Sequence, residues 1–391
     1  MSKKKQTKCI FCGEQPKKQN KEHIIPRWLL QLTGDENRLA YFGMKKEDDE
    51  LRIPISNMED ILSRDPSNPH RSFRFSSFQF PACKVCNDEF ASLEGEVRPI
   101  VENIVKGNIL RKEDIPKLLD WLDKVRVGLW LGNLQLDKNP HNITPRFAIK
   151  QRMGTSDRVL MIKRIEGFPD GINCIGTDTY AFAFSPSVFC LRINEYLLYS
   201  LSSVLFISKE LGFPYYESAV FDYKSGGIKI NLIEGTEKLS TPLSLIDIPK
   251  MSVILYQPLF HKQLAELHPE LYDSDYIKNH CLNYSKGQGD IFIDNDGIRP
   301  MKSGEVIEFF SYDSAYPFFG EEAIITDVLN FQSWVTHNYH SKLDTKFLTE
   351  GENRILSQQY EKVISFNEKF RLRVSRLALR KALDLKRVIS K

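Results

Sequence analysis

The stretch Glu22-His23-Ile24-Ile25-Pro26 lies between two Cys-x-x-Cys pairs, and these short motifs decide how the N-terminal quarter of the chain folds. The first pair is Cys9-Ile10-Phe11-Cys12. The second pair is Cys83-Lys84-Val85-Cys86, and Asn87 follows it directly. We therefore expect one compact unit in which the cysteines bring the acidic residue, the histidine and the asparagine into one region.

The cysteine spacing is typical of a metal site. Two residues between cysteines let both sulfurs reach one tetrahedral ion at about 2.3 Å, and four thiolates leave no position for water. We predict a structural zinc ion whose ligands are Cys9, Cys12, Cys83 and Cys86. The 70 residues between the two pairs leave a second interpretation open, in which the pairs are unrelated and simply reduced.

The remaining cysteines, Cys174, Cys190 and Cys281, are scattered, and the total of seven is odd. An odd, scattered set is a poor disulfide framework, so the cysteine usage indicates a reducing compartment. We therefore predict a cytoplasmic location.

Composition predicts a folded chain with more than one domain. The 391 residues are 41% hydrophobic and 27% charged, and one hydrophobic core rarely serves more than about 300 residues. No stretch approaches the run of about 18 apolar residues that spans a bilayer, so no membrane partner is predicted.

The net charge of +3 gives no overall attraction to nucleic acid. Positive charge concentrates at the two ends, with eight Lys or Arg in residues 1–27 and nine in residues 369–391. Such ends suit phosphate contacts, or they are solvated tails.

The central motif suits hydrolysis of a phosphodiester bond. Glu22 and the side-chain oxygen of Asn87 are hard ligands of the kind that Mg²⁺ or Mn²⁺ prefers. Histidine is the side chain whose ordinary pKa lies near neutrality, so His23 is suited to take a proton from the attacking water. We predict that Glu22 and Asn87 hold a catalytic divalent cation and that His23 is the general base. For neighbouring residues of a strand to share a site, the strand has to end or twist there, which Pro26 indicates.

These motifs together resemble the HNH, or ββα-metal, endonuclease family. The similarity covers about residues 8–95 and is greatest to members in which a zinc site of four cysteines joins a hairpin to a helix and Asn occupies the last position. The resemblance implies a β-hairpin with Glu22 and His23 near the end of its first strand, a helix that starts at Asn87, and the metal and base roles given above. Phe78 occupies a position where the family often has an Asn that orients the base, and Glu22 stands where Asp or His is commoner. Glu94 lies two turns after Asn87 on the same helix face and is interpreted as a surface carboxylate, with a further metal ligand or a partner of the metal ligands as the alternatives.

The predicted fold class is α+β, with a small ββα-metal nuclease head, a larger α+β domain and a long C-terminal helix. The domain boundaries are residues 1–107 for the head, with an insertion at 35–72, then 108–350, then 351–391. A helix is expected at 27–32, a second helix is expected to open at Pro99, and another is expected at 115–131. The C-terminal segment 353–390 carries a heptad pattern, which predicts either packing on its own domain or a coiled-coil contact with a homodimer partner or another protein.

The expected function is a metal-dependent endonuclease, a hydrolase that binds DNA and cleaves its phosphodiester bonds, with RNA not excluded. The family resemblance suggests restriction or anti-phage defence as its setting. Two alternatives stay open: a non-catalytic zinc-containing nucleic-acid-binding protein with a decayed centre, and an interaction subunit that docks a partner through the C-terminal helix.

Overall fold

The computed structural model describes most of the chain. The described residues are 8–15, 19–34, 39–40, 73–74, 79–136, 145, 147–177, 179–203, 206–222, 227–235, 252–260, 269–272, 274–294, 297–310, 316–344 and 348–389. The predicted insertion 35–72 lies outside these residues except for positions 39 and 40, and so does Phe78.

The N-terminal unit contains two paired strands followed by a long helix. Its elements are β1 (Gln19–His23), α1 (Arg27–Leu32), β2 (Leu39–Ala40), β3 (Phe73–Arg74), β4 (Gln79–Cys83) and α2 (Lys84–Gly107). β1 and β4 are antiparallel, and β2 and β3 form a separate short pair. Alternate residues of β4 point inward, which buries Phe80 and Ala82. The predicted helix at 27–32 is confirmed.

The helix α2 runs without a break through Pro99, so the prediction that a second helix opens there is wrong. Proline lacks the N–H that would bond to the carbonyl four residues earlier, and it usually kinks or ends a helix. Here the apolar stripe of α2 continues on both sides of the proline, with Phe90 before it and Val97, Ile100 and Ile104 around and after it, all buried. Burial of this continuous stripe compensates for the lost hydrogen bond.

A second long helix, α3 (Ile115–Leu136), packs against α2 and lies almost wholly inside the protein. It follows β5 (Ile109–Arg111), which pairs with β17 (Val306–Glu308), and a 3-10 turn at Lys112–Asp114. The predicted helix at 115–131 is confirmed.

Among the described residues, an antiparallel sheet of seven strands forms the middle of the molecule. In chain order its strands are β6 (Asp157–Arg164), β7 (Ile172–Ile175), β8 (Val188–Ile193), β9 (Tyr196–Ser203), β12 (Val253–Gln257), β15 (Phe292–Asp294) and β16 (Ile298–Pro300). From one edge of the sheet to the other, the order is β16, β15, β12, β6, β9, β8 and β7.

Both faces of this sheet are covered. Along β6, Leu160 and Ile162 join a hydrophobic cluster that includes the N-terminal unit and α3. Val159 and Met161 point the other way into a second cluster, which is closed by the C-terminal helices. The sheet therefore separates two helical layers, and the N-terminal unit lies on one side of it.

The apolar pattern of the sequence also predicts a strand at 180–184 and a helix at about 194–211, and both predictions are wrong. The apolar pattern of Tyr180–Phe184 predicts a strand, but the segment forms the short helix α4, because the Thr179 side chain caps it by accepting a hydrogen bond from the Phe182 N–H. The pattern of residues 194–211 predicts a helix, but this segment holds β9 and the short helix α5 (Phe206–Glu210). β9 is buried on both faces, so it lacks the alternation that distinguishes a strand from a buried helix.

The other described elements lie around the sheet. They are β10 (Tyr215–Asp222), β11 (Gly227–Ile233), α6 (Pro269–Tyr272), α7 (Asp275–His280), β13 (Cys281–Asn283), β14 (Gln288–Gly289) and 3-10 turns at Ile149–Arg152 and Tyr284–Lys286. β10 pairs with β11 and also with β18 (Leu343–Asp344), and β13 pairs with β14.

The chain ends in two packed helices, α8 (Tyr316–Lys342) and α9 (Glu350–Ile389). The heptad residues Val363, Asn367, Phe370 and Val374 are buried within the chain. The amide of Asn367 donates to Ser333 Oγ at 3.0 Å, which fixes the register of α9 against α8. This segment of the predicted seam therefore packs on its own chain. A partner contact through α9 stays a prediction, and it now depends on exposed residues such as Leu372, Leu379 and Leu383.

The predicted mixture of helices and strands with a long C-terminal helix is confirmed. The domain boundary at 107/108 stays a prediction, and one hydrophobic cluster includes residues on both sides of it, such as Ile104 and Leu110. In the described part of the chain, no helix combines the length and apolar character needed to cross a bilayer.

Candidate functional site

The four cysteines of the two pairs lie together, although they come from three different elements. Cys9 and Cys12 belong to a tight turn, which the Gly13 N–H closes by donating to the Cys9 carbonyl at 2.9 Å. Gly13 has φ +80°, a conformation that glycine adopts without strain. Cys83 ends β4, and Cys86 lies in the first turn of α2. The group therefore ties the N-terminal turn to the point where strand becomes helix.

The sulfur positions fit one metal ion. All four Sγ atoms lie within 4.8 Å of one another, and the Sγ atoms of Cys12 and Cys83 are 4.0 Å apart. Bond lengths of about 2.3 Å in a tetrahedral site give sulfur–sulfur separations of about 3.8 Å. Cys9, Cys12, Cys83 and Cys86 could therefore hold a single ion with little movement.

The charges of this group also favour a cation. Burial raises the pKa of the Cys12 and Cys86 thiols, so each resists ionisation. Burial alone would raise the pKa of Cys9 too, but backbone N–H groups, among them that of Cys83 at 3.3 Å, outweigh it and lower that pKa. Four thiolates so close together need positive charge between them, which a bound metal ion would supply.

Glu22 and His23 are the last two residues of β1, opposite Phe80 and Gln79 in the register with β4. The Gln79 side-chain Nε2 lies 2.7 Å from His23 Nε2. Turning the amide by about 180° puts its oxygen at the same place, where it would accept the proton of His23 Nε2. Either way, the imidazole is held through its Nε2 by a neighbour on the paired strand.

A lysine from α3 reaches the end of β1. The Lys124 side chain is completely buried, and its Nζ lies 3.4 Å from Glu22 Oε1. The same ammonium donates to the His23 backbone carbonyl at 3.1 Å and to the Glu94 carboxylate. Lys124 thus joins three elements at one point: the end of β1, the middle of α2 and the centre of α3.

Two aromatic rings line the same space. Phe11, from the first cysteine pair, and Phe90, from α2, stack with their centroids 4.3 Å apart. The Lys124 ammonium lies 5.8 Å from the Phe11 ring centroid and 5.7 Å from that of Phe90, within the range of cation–π attraction. The cysteine turn and the carboxylate cluster are therefore in contact through these rings.

Both carboxylates near Lys124 are perturbed. Burial raises the pKa of Glu22, and the ammonium only partly opposes this effect. Burial also raises the pKa of Glu94, with the neighbouring Glu22 adding to the rise and Lys124 opposing it. The two side chains keep only 12% and 14% of their exposure, so the interpretation of Glu94 as a surface carboxylate is wrong.

Asn87, the other predicted metal ligand, is half-buried in the first turn of α2. It lies seven residues before Glu94 on the same face, about 10 Å along the helix axis. The structure brings together Glu22, Glu94, Lys124 and the His23 carbonyl. The roles of Glu22, His23 and Asn87 in catalysis stay predictions.

A close approach between α3 and the end of β1 positions Lys124. A Cβ atom at Gly128 would lie only 2.6 Å from Ile24 Cδ1, far inside van der Waals contact. Gly128 is one helical turn after Lys124, so a larger residue there would push α3 away from the Glu22 carboxylate.

Sequence reasoning did not find Gln79 or Lys124. The signal for Lys124 is a short run of charges, Asp123, Lys124 and Arg126, inside a largely apolar helix, where buried charged side chains have to be paired. Gln79 carries no comparable signal, since only the register of β1 with β4 brings it to the histidine.

Comparison with known proteins gives no family assignment. No family model, curated protein or solved structure matches the chain. Its function therefore has to be inferred from its own residues and their arrangement.

Proposed function

We propose that the chain is a metal-dependent endonuclease that hydrolyses DNA phosphodiester bonds. The observation that carries this proposal is the position of Glu22-His23 at the end of a strand whose antiparallel partner leads directly into a helix, with four cysteines at that junction. Such a strand–strand–helix order would suit a zinc-containing HNH, or ββα-metal, nuclease, the family that the sequence motifs resemble.

The four cysteines would bind zinc in a structural role. Thiolates suit zinc better than Mg²⁺ or Mn²⁺, which prefer oxygen. A site with four cysteines leaves no open position for substrate. Its contribution is to fix the start of α2, and hence Asn87 and Glu94, relative to the end of β1.

His23 would act as the general base. With the Gln79 amide oxygen on the Nε2 proton, the imidazole is the tautomer whose Nδ1 lone pair can take a proton from water. Gln79 would thus supply the orientation that the family often obtains from an Asn at the position of Phe78. Hydrogen bonding from a fixed neighbour also keeps the ring from rotating away from the attacking water.

Glu22 and Asn87 would hold the divalent cation. A bound Mg²⁺ or Mn²⁺ would stabilise the charge that develops on the scissile phosphate. Glu22 is held by Lys124 through Oε1, so Oε2 is the oxygen that it can present to a metal. The basic segments 1–27 and 369–391 would contribute phosphate contacts, and a setting in restriction or anti-phage defence follows from the family resemblance alone.

One observation favours a second function. The Lys124 ammonium already neutralises Glu22, as it would in a protein that has lost its catalytic metal. The chain would then be a zinc-containing nucleic-acid-binding protein without cleavage activity. In that case His23→Ala would leave DNA binding unchanged and there would be no activity to lose.

The proposed function is tested with purified, zinc-loaded protein and supercoiled plasmid in Mg²⁺, in Mn²⁺ and in excess EDTA, with a structured RNA in parallel. We expect nicking or linearisation with either metal, none in EDTA, and a loss of activity in Glu22→Gln. Cleavage that persists in EDTA would contradict the mechanism. Binding without cleavage in either metal would favour the second function.

A further inference from the structure

We propose that the Lys124 ammonium is a resident cation of the Glu22 site, which competes with the divalent metal for this carboxylate and so sets the metal concentration at which the site fills. The inference rests on the proposed function for its biological meaning. The metal-binding property itself can be measured without any nuclease activity.

The surroundings of Lys124 Nζ are those of a small oxygen-lined cation site. Its acceptors are the carboxylates of Glu22 and Glu94 and the backbone carbonyl of His23. Carboxylate and carbonyl oxygens are also the ligands that Ca²⁺, Mg²⁺ and Mn²⁺ prefer. The ammonium therefore occupies a place whose donors would suit a divalent ion.

The net charge of the cluster also indicates that Lys124 competes with a divalent ion. Glu22 and Glu94 together carry two negative charges when ionised, and Lys124 supplies one positive charge, which leaves one negative charge in a buried cluster. A divalent ion bound to Glu22 adds two positive charges close to the ammonium, and in this dry location their repulsion is weakly screened. Metal binding at Glu22 is therefore weaker with Lys124 in place than without it.

The burial of Lys124 determines which role this residue can have. The Lys124 side chain is fully buried among Phe11, Phe90 and the carboxylates, so it cannot contact DNA. It is a positioning residue that acts through Glu22. Because Lys124 belongs to α3, the metal affinity of the N-terminal unit depends on how this helix is seated against it.

The test replaces Lys124 with methionine, which keeps most of the length of the side chain and removes its charge. Mn²⁺ binding to the zinc-loaded protein is measured by isothermal titration calorimetry. We expect Lys124→Met to bind Mn²⁺ at least about tenfold more tightly than the unaltered chain, and the gain to disappear when Glu22→Gln is added. The matched control is Lys163→Met, which removes a buried ammonium that is 2.7 Å from Asp327 on the other face of the sheet and should leave Mn²⁺ binding unchanged.

Lys124→Met leaves two buried carboxylates without their ammonium, which destabilises the fold. A second variant and a second measurement therefore accompany the Mn²⁺ titration of Lys124→Met. Lys124→Gln removes the charge but keeps an N–H donor for the carboxylates. Melting temperatures are then recorded with and without Ca²⁺. We expect Ca²⁺ to raise the melting temperature of either Lys124 variant more than that of the unaltered chain or of Lys163→Met.

Unchanged or weaker Mn²⁺ binding in the Lys124 variants, with no added stabilisation by Ca²⁺, would overturn the inference. It would mean that the ammonium supports metal binding or has no influence on it. Failure of the endonuclease proposal would look different, because DNA would remain intact at all metal concentrations while the Lys124 variants still bound Mn²⁺ more tightly.

Discussion

Replacement of Cys86 by serine should abolish binding of the proposed zinc ion and destabilise the N-terminal unit. Cys86 is 2% exposed and is one of four sulfurs within 4.8 Å of one another. The metal would close a loop formed by the 70 residues between Cys12 and Cys83. For a cross-link across a loop of that length, the loss of chain entropy in the unfolded state is worth about 4 kcal/mol.

That free energy should appear as a lower melting temperature. For a chain of this size the unfolding entropy is about 0.8 kcal/mol per degree, so about 4 kcal/mol corresponds to a fall of roughly 5 °C. The assay is differential scanning calorimetry together with zinc analysis of the purified protein. We expect about one zinc per chain in the unaltered protein and a strongly reduced content in Cys86→Ser.

The matched control is Cys190→Ser, since Cys190 is equally buried but lies in β8, away from the cluster. Both substitutions bury a serine hydroxyl, so the free-energy cost of burying it cancels when the two variants are compared. Cys190→Ser should keep its zinc. The free energy of unfolding of Cys86→Ser should be about 4 kcal/mol lower than that of Cys190→Ser. Equal zinc contents and equal stabilities in the two variants would refute the proposed metal site.

Three further predictions test the packing, the charges and the base. A Cβ at Gly128 would lie 2.6 Å from the side chain of Ile24, so Gly128→Ala should lower the free energy of unfolding, measured in urea, by about 1 to 3 kcal/mol. The control Gly95→Ala, with open space around its Cβ, should raise the free energy of unfolding by up to about 1 kcal/mol. Burial raises the pKa of Asp157 to about 6. A carboxyl with a raised pKa in the folded state favours folding below its unfolded pKa of about 4, and this contribution is lost as the pH rises through about 6. Stability measured by urea unfolding should therefore fall by up to about 3 kcal/mol between about pH 4 and pH 7, and Asp157→Asn should lack that fall; a parallel pH dependence in the variant would contradict the assignment. Gln79→Leu should lower kcat for plasmid cleavage by roughly 100-fold with little change in KM, because the His23 imidazole, the proposed general base, loses the neighbour that orients it; an unchanged kcat would show that Gln79 has no such role.

Some of this fold could be predicted from the sequence because the signals are local. The cysteine spacing indicates a shared metal site, and the four sulfurs do lie together. The helix over residues 27–32 and the long C-terminal helix follow from short-range periodicity. These features depend on residues a few positions apart, which is the range over which the pattern of apolar residues is informative.

The contacts of Lys124 could not be predicted in the same way. The residue is 102 positions from Glu22, and only the packing of α3 against the end of β1 brings the two together. The contact between Gln79 and His23 likewise depends on the register of two strands separated by a long segment. The sequence predicts a helix where β9 lies because the sheet is covered on both faces, which removes the alternation of a half-exposed strand.

The most direct test of the central claim is the rate of plasmid nicking by His23→Ala, measured in Mn²⁺ against the unaltered protein at equal zinc content. Loss of the proposed general base should lower the rate at least about 100-fold while DNA binding and melting temperature stay the same. An equal rate in the variant would show that His23 is not the base and would contradict the nuclease site proposed for this chain.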